Sequence, residues 1–103
     1  MVRIVAILKP YRLEEALSRL QDREWVRHIQ TQEVRGYGMQ KDHLEDYSGD
    51  DAGMEFLPKI RLEILVDDLF AQLAMEAIAQ GARTGRMGDG KIFLIREAVD
   101  LEV

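Results

Sequence analysis

The stretch TGRMGDGK, Thr84 to Lys91, places Gly85, Gly88 and Gly90 with the cations Arg86 and Lys91 directly before the apolar run IFLI. Glycine lets backbone come close to a ligand, and successive N–H groups in such a loop make a concavity that attracts anions. A lysine at its edge adds a full positive charge. The chemistry this implies is the holding of phosphate or carboxylate. Bond-making would need a placed base, and Asp89 is the one nearby candidate, in a position that suits capping a turn. Gly85, Gly90 and Lys91 match the spacing of the phosphate loop of nucleoside triphosphatases, but Ile92 stands where the Mg²⁺-binding hydroxyl belongs. That loop also runs from a strand into a helix, whereas this one is predicted to run from a helix into a strand. The plain alternative is a glycine-rich turn that only reverses the chain.

A second concentration of reactive groups is DHLEDYSGDDAGME, Asp42 to Glu55, with six carboxylates and no lysine or arginine. His43 with Glu45, Asp46, Asp50 and Asp51 has the donor types of a divalent-metal site. Nothing in their spacing fixes a coordination geometry. The stretch is longer than a hairpin loop requires, so it is either a solvated loop or an arm that contacts a partner. His28 is expected on a strand surface rather than as a ligand.

The elements that position these groups follow from periodicity. VRIVAIL, Val2 to Leu8, is β-branched and largely apolar and predicts a strand either buried on both faces or central in its sheet, ended by Pro10. Leu13, Ala16, Leu17 and Leu20 recur at helical spacing, with Glu14 and Glu15 in the first turn. His28 to Tyr37 predicts a strand ended by glycines. In Phe56 to Val66, Ile60, Leu62, Ile64 and Val66 alternate with Arg61, Glu63 and Leu65. Leu69, Leu73, Ala74, Ala77 and Ile78 then predict a second helical stripe, capped by Asp67 or Asp68. Ile92 to Ile95 is the last strand. Strand, helix, strand, strand, helix, strand, with an echo between VRIVAILKPYRLEEAL and IRLEILVDDLFAQLAM, predicts an α+β, ferredoxin-like βαββαβ fold with an antiparallel sheet. Helices cover one face of such a sheet; further copies of the chain are the usual cover for the other.

The totals agree with one domain over residues 1–103, having 47% hydrophobic residues and a long loop at about 40–56. A net charge of −5 argues against nucleic acid, which needs a basic face, but allows a local basic pocket. The absence of cysteine excludes disulfides and thiolate chemistry. The short apolar N-terminal run lacks the features of a signal peptide, and no stretch reaches the roughly 18 apolar residues of a membrane span. The expectation is a cytoplasmic protein without membrane insertion.

The segments ILKPYRLEEAL, EVRGYGMQK, FLPKIRLEI and TGRMGDGKIF, in this order, resemble the P-II signal-transduction proteins, sensors of nitrogen and carbon status. The resemblance spans nearly the whole chain. It implies a homotrimeric regulator rather than an enzyme, with adenine nucleotide (ATP, ADP or AMP) in the clefts between neighbouring subunits. It also implies that the long loop contacts a regulated partner, such as a membrane transporter. Arg86, Gly88, Asp89, Gly90 and Lys91 would embrace the phosphates. Gly36, Tyr37, Gly38, Met39 and Gln40 would line the site from the base of the arm, and Leu8, Gln30 and Leu65 would surround the adenine. In similar proteins a glutamine, here Gln40, ligates Mg²⁺ beside 2-oxoglutarate. Lys59 pairs with that oxo acid, and Lys41 lies at the same base. The alternative is a trimeric ferredoxin-like protein that binds divalent metal and serves metal tolerance or efflux.

Departures from the family pattern set further expectations. Met39 stands for an arginine and Asp42 for a glycine. Ala52 stands where nitrogen-sensing members carry the uridylylated tyrosine, Asp50 for a serine phosphorylated in some members, and Ser48 for the arginine that plugs the ammonium channel. Uridylylation is therefore not expected. Near the end, Glu102 takes the first of two positions at which similar proteins supply an arginine to the phosphates, and the sequence stops before the second. A hydrogen bond to a charged group is worth roughly 1.5–3 kcal/mol, so ATP is expected to be held less tightly than is usual in such proteins, while ADP and AMP, with less charge to neutralise, lose less. 2-Oxoglutarate binding would weaken with it, leaving Gln40 and Lys59 for another anion such as bicarbonate.

Overall fold

The computed structural model describes residues 1–36, 57–86, 88–96, 101 and 103. Strand β1 spans Val2–Leu8, β2 Val26–Gly36, β3 Leu57–Val66 and β4 Gly90–Ile95. Helix α1 covers Leu13–Ser18 after a 3-10 turn at Pro10–Arg12, and α2 covers Ala71–Ala82 after a second such turn at Asp68–Phe70. The strands form one antiparallel sheet in the order β2-β3-β1-β4, the ferredoxin-like arrangement expected from the element order. β1 is central, as its apolar run requires: Ile4 pairs with Ile64 on one side and Leu94 on the other.

Both helices lie on one face. Val2, Ile4, Ala6 and Leu8 of β1 and Leu62, Ile64 and Val66 of β3 pack there against Ala16, Leu20, Ala74 and Ile78. The strict alternation in β3 has its cause here: each of the even residues Ile60 to Val66 is buried and each odd one is not. The helices meet closely at Gly81, where a β-carbon would lie 2.6 Å from the Cα of Ala16. Arg12 Nε donates to the Gly81 carbonyl at 2.9 Å, satisfying a C-terminal carbonyl of α2.

Three local expectations need correction. Leu69 and Leu73 were predicted to face the core, but they are 87% and 50% exposed, and the buried stripe is Ala71, Ala74, Ile78, Gly81 and Ala82. The 3-10 turn at Asp68–Phe70 interrupts the helical phase, so Leu69 does not share the α2 face. Neither Asp67 nor Asp68 caps through its side chain. Asp67 instead pairs with Arg27 at 3.0 Å, and Asp68 pairs with the N-terminal ammonium. Finally, β2 begins at Val26 rather than His28 and β4 at Gly90 rather than Ile92.

Among the described residues, no helix covers the opposite face of the sheet. Val5, Ile7, Leu65, Phe93 and Ile95 lie there with Arg3, Arg61 and Glu63, and Phe93 is 49% exposed. Arg3 Nε is buried without an acceptor among the described residues. None of the described helices is long and apolar enough to cross a membrane.

Candidate functional site

The sheet order brings the end of β1, the start of β3 and the start of β4 together, at the end of the sheet from which the 40–56 loop departs. The TGRMGDGK stretch joins α2 to β4 at this end. Gly85, Gly88 and Gly90 have φ of 83°, 79° and 137°, so the glycines serve a left-handed path.

Asp89 organises the loop from inside. Its carboxylate accepts from the N–H of Thr84 at 2.8 Å, from the N–H of Gly85 at 3.1 Å and from the Thr84 hydroxyl. Lys9 Nζ lies 3.0 Å from the same carboxylate. These donors, the Thr84 hydroxyl foremost, hold the Asp89 carboxyl well below the usual carboxylate range. The capping role expected of Asp89 matches this geometry. One consequence was not foreseen: two of the loop's N–H groups are spent on the protein's own carboxylate and are not open to a ligand.

Lys59 reaches the loop from β3 and donates to the Gly88 carbonyl at 2.8 Å. Partial burial lowers its pKa, the nearby Lys9 ammonium lowers it further, and Asp89 opposes both. Two lysines and one carboxylate thus form a cluster with an excess positive charge behind the loop. Lys9 was not singled out by sequence, because its partner lies 80 residues further along the chain.

In front of the loop lies a cleft of about 540 Å³, within the size range of small-ligand sites. Leu8, Ala79, Ala82 and Ile92 give it an apolar floor, and Arg83, Arg86 and Lys91 give it cations. Of the expected site residues, Leu8, Arg86, Asp89, Gly90 and Lys91 are brought together here, although Leu8 is only 1% exposed. Gln30 and Leu65 are not. They lie on the uncovered face, where Leu65 pairs with Arg3 and His28 near the other end of the strands. Gln30 Oε1 is 3.3 Å from the ring of His28, which is an exposed strand residue as expected. Gly36 ends β2 opposite Leu57. Tyr37, Gly38, Met39, Gln40, Lys41 and the His43 to Asp51 donors lie outside the described residues. Among the described residues no group of three or more histidines or carboxylates is placed to hold a metal ion.

Asp89→Asn should lower the melting temperature at pH 7, because the amide has one acceptor oxygen: with it turned to the Thr84 and Gly85 N–H groups, the NH2 replaces the oxygen that faces the Thr84 hydroxyl and the Lys9 ammonium. The folded pKa of Asp89 is depressed, so its stabilisation is complete above the unfolded value of about 3.9 and fades as pH falls below it. Melting curves of parent and variant should therefore differ at neutral pH and converge in strong acid. A gap independent of pH would show that the charge of Asp89 contributes nothing.

Comparison with known proteins agrees with this arrangement. The family model described as "Nitrogen regulatory protein P-II" matches residues 1–99. The chain is 43% identical over 101 residues to the nitrogen regulatory protein P-II of Rhodospirillum rubrum, covering 96% of this chain and 89% of that one. It is 43% identical over 94 residues to the protein of the same name from Azospirillum brasilense, covering 91% and 83%. The Pasteurella multocida protein gives the same identity and coverage. These relatives are named as regulatory proteins, not as enzymes. With the ferredoxin-like sheet and a glycine loop braced by Asp89 in front of a basic cleft, this chain belongs to the nitrogen regulatory protein P-II family of signal-transduction regulators.

Proposed function

We propose that this protein is a cytoplasmic homotrimer that senses adenine nucleotides in clefts between subunits. Through its loop at about 40–56 it controls a partner, a membrane transporter being the class that best fits. The observation that carries this reading is the cleft beside the TGRMGDGK loop: an apolar floor of Leu8, Ala79, Ala82 and Ile92, with Lys91 and Arg86 among its lining cations. The uncovered sheet face supports the trimer, since Ile7, Leu65 and Phe93 remain partly or well exposed and gain by burial against further copies. It also explains why Leu8 and Leu65 lie apart within one subunit: a site at a seam draws residues from two. Mg²⁺ held by Gln40 and an oxo acid or bicarbonate beside Lys59 would complete the second ligand site. The acidic arm favours a target with a basic surface.

Calorimetric titration with ATP, ADP and AMP, each with and without Mg²⁺ and 2-oxoglutarate, tests the proposal. Saturable heat with at least one adenylate is expected, from a particle that sediments as three chains. Tight binding of Cu²⁺ or Zn²⁺ with no adenylate heat would overturn it in favour of a metal-binding relative of the same architecture.

A further inference from the structure

We propose that Arg83 is a third phosphate-directed cation of the cleft and sets how strongly the site distinguishes nucleotides by their number of phosphates. This deepens the nucleotide reading above and rests on it. Arg83 follows the last residue of α2, where the backbone leaves the helix with φ −69° and ψ 135°, and its N–H still donates to the Ala79 carbonyl. Its position is thus set by the helix end rather than by the mobile reach of a loop, and it lines the same cleft as Arg86 and Lys91.

Charge accounting in the cleft points the same way. Asp89 is the one carboxylate among the described lining residues, and Lys9, Thr84 and Gly85 already engage it. Among the described residues Arg83, Arg86 and Lys91 have no carboxylate partner. Three like charges around one cavity repel one another, so the arrangement gains most from an anion of several charges. A guanidinium adds planar, two-pronged bonding to phosphate oxygens that an ammonium lacks. Lys91 and Arg86 match the charge of a monophosphate. Each further phosphate brings at least one more negative charge, and Arg83 is the remaining cation among the described lining residues of the cleft to meet it.

The test is Arg83→Gln and Arg83→Lys, titrated with ATP, ADP and AMP alongside the parent, with melting curves as a check on folding. Arg83 is exposed, so both variants should melt like the parent. Arg83→Gln should weaken ATP by about tenfold or more and ADP by less, with AMP within about twofold of the parent. Arg83→Lys should recover part of the loss. Unchanged ATP affinity, or an equal loss for all three ligands, would overturn the assignment; the second result would mean that the change merely distorts the loop. A parent that binds no adenylate would instead sink the nucleotide reading itself, and this assignment with it.

Discussion

Gly90→Ala is expected to destabilise the protein by about 2–4 kcal/mol, enough to lower its melting temperature by roughly ten degrees or more. Gly90 opens β4 opposite Leu8, with φ of 137°. A β-carbon built there would lie 1.9 Å from the carbonyl oxygen of Ile7. The obstacle is backbone in the middle of a sheet, so it cannot swing aside as a side chain would. Relief requires the start of β4 to peel from β1, and that moves both the loop and Lys91. Gly85→Ala is the matched control. Its φ of 83° also disfavours a side chain, but nothing lies within 4 Å of the added carbon. It should cost only the left-handed conformation, about 1–2 kcal/mol. Chemical denaturation of the two variants separates steric conflict from conformational preference. Equal losses would mean that the contact with Ile7 relaxes freely.

Lys91→Ala should leave folding nearly unchanged and weaken adenylate binding by roughly 10- to 100-fold, the worth of one charge-assisted hydrogen bond to phosphate. Lys91 is exposed, sits one residue inside β4 and pairs in register with Ile7. Its backbone is held by the strand pairing, whereas Arg86 lies in the loop itself. The loss should shrink in high salt, because an exposed cation is screened there. Calorimetry on the parent and the variant gives both quantities. Equal affinity for every adenylate would remove Lys91 from the site.

Gly90 and Lys91 were conspicuous in the sequence because glycine and lysine before an apolar run are unusual locally. Lys9 and Arg83 were not. A lysine before a proline and an arginine after a helix have ordinary uses at the surface, and nothing within a few residues marks them as partners of the loop. Lys59 was marked only by its likeness to the P-II pattern; its bond to Gly88 comes from the adjacency of β3 and β1 to the loop.

By itself, the sequence determined the order of the elements, the buried alternation of β3, the centrality of β1 and the family, because each is written in local periodicity or in contiguous motifs. The tertiary structure alone decided which face α2 buries, and it brought Lys9, Lys59 and Asp89 into one cluster. It also decided that Asp89 consumes the amides of Thr84 and Gly85, and that Arg83 joins Arg86 and Lys91 around one cleft. The physical reason is that side chains far apart in sequence meet only through strand order and register, which no local pattern encodes.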